Sequence, residues 1–152
     1  MSATSTRGRV LIVDDQHDLL DGMRALLEIN GVDVIMHDSM ITLPLIVREA
    51  DPDVVLLDVS LPALSGTAAL RQGLRRLLRT DAPILLFSGR SPAELAAMAD
   101  ELGADGFITK AQDPTEIVTR IQTWLNRRRL MRATQRNEAS NVATRTASPS
   151  SR

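Results

Sequence analysis

At 152 residues the chain suits one domain with tails and is expected to have no second folded unit. Hydrophobic residues at 43% and charged residues at 24% are globular proportions, while aromatics at 2% require a core of Leu, Ile, Val, Ala and Met. The absence of cysteine excludes disulfides and thiolate catalysis, and no apolar run approaches the ~20 residues of a membrane span, so a cytoplasmic protein without a membrane partner is expected. The net charge of −1 hides an asymmetry: residues 1–126 hold 11 basic against 18 acidic side chains, whereas residues 127–152 hold seven arginines against one glutamate.

Residues 1–8, rich in Ser, Thr and Arg, predict a flexible lead. Residues 10–13, 54–57 and 84–87 are continuously apolar, the pattern of parallel strands covered on both faces. Residues 32–36, interrupted by Asp33, predict a more exposed strand, and residues 106–109 a fifth. Between them lie helical stripes. Leu19, Leu20, Met23, Leu26 and Leu27 mark the first, closed by Asn30 and Gly31. In the second, Pro44 removes a backbone donor, so the helix is expected to begin near Thr42 and to be shortened or kinked. Residues 67–79 supply a third stripe through Leu70, Leu74, Leu77 and Leu78. Ser91-Pro92-Ala93-Glu94 and Asp113-Pro114-Thr115-Glu116 are two helix starts with a cap, proline in the first turn and an acid at the third position. Residues 131–152 are poor in apolar side chains and predict a disordered, basic Ser/Thr/Arg tail. The fivefold β-α alternation over residues 9–130 predicts a doubly wound α/β sandwich around one parallel sheet.

Open α/β sheets bind ligands at the carboxyl ends of their strands. Asp14 and Asp15 follow the first strand, Asp58 the third, Ser88 the fourth, and Thr109 and Lys110 the fifth. With strand order 2-1-3-4-5, three carboxylates converge and repel one another, and a hard divalent cation such as Mg²⁺ is the simplest neutraliser. Taken singly, Asp14 and Asp15 read equally well as a helix cap, and Asp58 as a loop start. Lys110 is the only lysine among 18 basic residues, and a compact ammonium suits contact with a phosphoryl oxygen. His17, at a helix start, and His37, in a loop, read as surface residues, and Trp124 as a packing anchor.

Five motifs in order, residues 10–15 (VLIVDD), 53–58 (DVVLLD), Leu61-Pro62 with Gly66, Ser88, and residues 103–110 (GADGFITK), resemble the receiver domains of two-component response regulators. The resemblance implies a flavodoxin-like (βα)5 fold of the stand-alone type. It further implies that Asp58 accepts a phosphoryl group from a histidine kinase or histidine phosphotransfer protein. Mg²⁺ would be held by Asp14, Asp15, Asp58 and the Ser60 carbonyl, and Lys110 would offset charge on the transferring group. Such a protein is no enzyme beyond its own phosphorylation and autodephosphorylation. Ser88 and Phe107 would form the switch pair, Ser60 and Arg90 would tune phosphoryl lifetime, and a downstream protein would dock on the face formed by residues 91–127.

The chain departs from the family in having Ala111 where proline, joined through a cis peptide, usually follows the lysine. A cis bond without proline costs about 2.5–4 kcal/mol, so this turn should be strained or rebuilt, with Lys110 still reaching the acidic pocket. Two rivals compete with the signalling reading. A Mg²⁺-dependent aspartate-nucleophile phosphohydrolase of the haloacid dehalogenase type needs a second aspartate two residues on, where this chain has Ser60. A nucleic-acid-binding regulator would use Arg127, Arg128, Arg129, Arg132 and Arg136, without stacking aromatics to help.

Overall fold

The computed structural model describes residues 8–60 and 73–147, apart from the side chains of residues 17–19. In chain order the elements are β1 (Arg9–Val13), α1 (His17–Ile29), β2 (Asp33–His37), α2 (Leu43–Ala50) and β3 (Val54–Leu57). They continue with α3 (Leu74–Leu78), β4 (Ile84–Ser88), α4 (Pro92–Leu102), β5 (Gly106–Thr109) and α5 (Pro114–Thr146). The strands form one parallel sheet in the order β2-β1-β3-β4-β5. The expected sandwich and strand order are both present.

Strand side chains alternate between two cores because successive residues point to opposite faces. Val10, Ile12, Val54, Leu56, Leu85, Phe87 and Ile108 pack with Leu20, Met23 and Leu27 of α1 and Ile117, Ile121 and Leu125 of α5. Leu11, Val13, Val55, Leu57, Ile84 and Leu86 pack with Leu43 and Val47 of α2, Leu74 and Leu78 of α3, and Leu95 and Ala99 of α4. β3 and β4 are buried throughout and β1 is buried from Val10 on, whereas β2 is mostly half-buried, as an edge strand should be. Each fully buried Leu or Ile contributes about 1.5–3 kcal/mol, so these two layers hold the strand ends in place.

The local grammar explains the helix boundaries. Ser91 accepts a hydrogen bond from the Glu94 amide and α4 stops at Gly103, whose φ of 72° is left-handed. Asp113 accepts from the Thr115 amide at the start of α5. Pro44 falls in the first turn of α2, where its missing N–H is harmless, so the helix starts at Leu43. The beginning of the third stripe, at residues 67–72, lies outside the described residues.

Two expectations fail. His37 is the last residue of β2 and lies 2.8 Å, through Nε2, from the Thr42 hydroxyl, so it is not a loop residue. The tail after residue 130 is helical to Thr146 instead of disordered. Composition misleads there because a helix already nucleated by packing needs only propagation, and Ala133, Gln135, Arg136, Glu138, Ala139 and Ala143 are good or fair helix formers. Thr134, Thr144 and Thr146 donate their hydroxyls to carbonyls one turn earlier, and Arg132 ties the helix to Asp51 and Asp53 at 3.2 and 3.3 Å. From Thr134 onward every described residue is exposed.

Candidate functional site

The period-two alternation that builds the core also builds the site. Val10 and Ile12 face the α1/α5 layer, and two residues beyond comes Asp14. Val54 and Leu56 lead in the same way to Asp58, and Ile108 leads to Lys110. The ladder extends one residue past the strands to fix these positions. The Asp14 amide donates to the His37 carbonyl at 2.9 Å, the Asp58 amide to Val13 at 2.9 Å, and the Lys110 amide to Ser88 at 2.7 Å.

Asp14 and Asp58 are buried, at 0% and 2% exposure, and Lys110 lies between them. Its Nζ is 2.5 Å from Asp14 Oδ2 and 3.3 Å from Asp58 Oδ2. The remaining oxygens accept from the backbone: Asp14 Oδ1 from the Gln16 amide at 2.8 Å, and Asp58 Oδ1 from the Ser60 amide at 2.9 Å. Asp15 is exposed, and one carboxylate oxygen from each of Asp14, Asp15 and Asp58 falls within 4.8 Å of the others. Three carboxylates against one ammonium leave two negative charges uncompensated when all are ionised, and the donors are hard oxygens. That donor set fits Mg²⁺.

Lys110 reaches the acids although no cis peptide occurs among the described residues, so the Lys110-Ala111 turn is rebuilt with a trans bond. The Thr109 hydroxyl organises it, accepting from the Ala111 amide at 3.2 Å and donating to the Arg90 carbonyl at 3.2 Å. Sequence reasoning gave Thr109 no role of its own.

It also missed Phe87. β4 lies between β3 and β5, so the lysine chain must cross β4 to reach Asp58, and the residue it crosses is Phe87. Nζ sits 5.1 Å from the ring centroid, within cation–π range. The parity of residues 85, 87, 108 and 110 on adjacent strands was the available signal.

Ser88 and Thr109 take the opposite parity. Ser88 is buried, and its Oγ accepts from the Arg90 amide at 3.3 Å. Phe107 is half-buried and packs with the α2/α3/α4 layer. The Arg90 guanidinium points along α4, 3.9 Å from Glu94, and is about half exposed. Trp124 packs on the α1/α5 core, close enough to Gly106 that a Cβ there would lie 3.1 Å from its ring, and Arg127 stacks over it at 5.2 Å. Leu61, Pro62, Gly66 and the His17 side chain lie outside the described residues.

A buried aspartate at the end of β3, an acidic pair after β1 and a lysine after β5 are, on this fold, the arrangement of a signalling receiver domain. Comparison with known proteins agrees: the response regulator receiver domain family matches residues 10–122, and the chain belongs to that family. Over 118 residues it is 30% identical to the phosphate regulon transcriptional regulatory protein PhoB of Pseudomonas aeruginosa, covering 78% of this chain and 52% of the relative. It is 32% identical over 123 residues to the DNA-binding response regulator MtrA of Mycobacterium tuberculosis, covering 80% and 52%. The chain therefore spans about half the length of these curated relatives. Among solved structures, a LuxR-family response regulator from an Aurantimonas species superposes with a TM-score of 0.65 at 34% identity, over 80% of this chain and 86% of that one. Full-length FixJ from B. japonicum gives 0.68 at 25% identity, over 96% and 70%. No helix among the described residues is long and apolar enough to cross a membrane.

Proposed function

We propose that the chain accepts a phosphoryl group on Asp58 from a histidine kinase or histidine phosphotransfer protein, and that this changes its affinity for a downstream protein. The observation that carries this reading is Lys110 Nζ bridging two buried aspartates at the sheet's carboxyl edge. An ammonium bridging two carboxylates can turn to the oxygens of an arriving phosphoryl group, where it offsets charge in a loose, in-line transition state. Asp58 supplies the attacking oxygen, and the donor's nitrogen leaves with the bond electrons. The Ser60 amide holds the other Asp58 oxygen and so fixes the carboxylate plane. Asp14, Asp15, Asp58 and the Ser60 carbonyl would hold Mg²⁺, which supplies charge neutralisation for the phosphoryl oxygens.

Ser88 and Phe107 act as the reporters. The Ser88 oxygen accepts from its own loop, so its hydroxyl hydrogen remains available to a phosphoryl oxygen. Phe107 carries no hydroxyl, and its inward movement leaves no donor unpaired. Arg90 and Ser60 flank the pocket and set how long the aspartyl phosphate survives. The face formed by α4, β5 and α5 over residues 91–127 is the docking surface for the target. The phosphohydrolase reading is disfavoured because Ser60 cannot serve as the leaving-group acid.

The test is incubation with acetyl phosphate and Mg²⁺, read by intact mass, with Asp58→Asn as control. Addition of one phosphoryl group to the parent and none to the variant supports the assignment. Equal labelling of both, or of neither, refutes it.

A further inference from the structure

A cleft of about 630 Å³ runs along α2 and the C-terminal end of α3 and is lined by no residue of the acidic pocket. Ligand sites for small molecules usually enclose about 300–1,000 Å³. Three arginines are among the residues that line it: Arg48 from α2, Arg79 from the end of α3, and Arg128 from the continuation of α5. Arg128 is only 7% exposed and forms no ion pair with a described residue, and its Nε, turned away from solvent, has no hydrogen-bond partner among the described residues. A buried guanidinium is ordinarily retained only when a carboxylate or phosphate meets it.

The two acids at the cleft do not meet that need. The Asp51 carboxylate is drawn to Arg132 at 3.2 Å, and Asp81 makes no ion pair with a described residue. Asp51 and Arg79 both adopt left-handed backbone, with φ of 45° and 49°, in closing their helices. Leu45, at 54% exposure, adds an apolar surface at the rim.

We infer that this cleft binds a small organic phosphate, its oxyanion held by Arg48, Arg79 and Arg128 and its apolar body lying on Leu45. Guanidinium forks match phosphate oxygens bidentately, which favours phosphate over a singly charged carboxylate. The site is remote from Asp58, needs no Mg²⁺, and uses no residue of the phosphoacceptor pocket.

The test is titration of the whole chain with inorganic pyrophosphate, adenosine monophosphate and citrate in Mg²⁺-free, EDTA-containing buffer, followed by amide chemical shifts and thermal melting. Saturable shifts at residues 48–51 and 79–81, with a rise in Tm for the phosphates exceeding that for citrate, support the inference. Arg48→Gln and Arg79→Gln leave the packed core intact and should each weaken binding about tenfold or more, as expected for loss of a charge-assisted contact. Arg128→Met should raise the ligand-free Tm while removing the ligand-induced rise. The inference is overturned by unsaturable shifts, by shifts confined to the amides of Asp14 and Asp58, by citrate matching the phosphates, or by unchanged affinity in the arginine variants.

Discussion

Replacing Lys110 by Met keeps the length of the chain and its contact with Phe87 but removes the charge between Asp14 and Asp58. Both carboxylates are essentially inaccessible, so water cannot take over from the ammonium. Removing one partner of a buried ion pair typically costs about 3–5 kcal/mol, because the remaining charge stays desolvated. Lys110 is itself 19% exposed, which places the expected loss near the low end, about 3 kcal/mol. For a domain of this size that corresponds to a fall in Tm of roughly 6–12 °C. Mg²⁺ should restore more stability to Lys110→Met than it adds to the parent, since the variant starts with a more negative pocket. Thermal melts of both proteins, with and without Mg²⁺, measure the two quantities. A variant as stable as the parent in Mg²⁺-free buffer would show that the lysine does not hold the acids together, and the electrostatic account of the pocket would fail.

Phe87→Leu keeps the core apolar but takes the ring from beneath the lysine, so phosphorylation by acetyl phosphate should slow by an amount set by about 0.5–2 kcal/mol of lost cation–π contact, with Asp58 still the site. Unchanged kinetics would show that the lysine is positioned by its anions alone. Arg90→Ala should shorten the lifetime of the aspartyl phosphate by opening the pocket to water; an unchanged decay rate excludes Arg90 from that role. Arg132→Ala removes one ion pair whose Asp51 is 77% exposed and one whose Asp53 is 19% exposed, so global stability should fall by about 1 kcal/mol, nearly all of it from the Asp53 pair. Hydrogen exchange in residues 130–146 should nevertheless accelerate, and if it does not, α5 is held by backbone propensity alone.

Much of this architecture is legible in the sequence because it depends on local period. Continuous apolar runs give β1, β3 and β4, and the capped starts at Ser91 and Asp113 give the bounds of α4 and the start of α5. Asp14, Asp58 and Lys110 are legible as strand-end residues. Their meeting follows only once the strand order is supplied, which the family resemblance implies and no local pattern encodes. Phe87 illustrates the limit: in sequence it is one more apolar residue of β4, and only the placement of β4 between β3 and β5 puts it in the lysine's path. The end of α5 fails for a different reason. Low apolarity argues against burial, but a helix anchored at Ile117, Ile121 and Leu125 can continue into solvent without being buried.

That continuation gives the molecule a lever. From Arg132 to Thr146 the helix rises by about 20 Å, so a tilt of five degrees at its packed base displaces the far end by roughly 2 Å. Each residue also turns the helix by about 100°, which fixes the compass direction of every exposed side chain relative to the sheet. Inserting one residue near Leu130 would therefore swing everything beyond it by about a quarter turn, whereas inserting seven would nearly restore its bearing and only lengthen the reach.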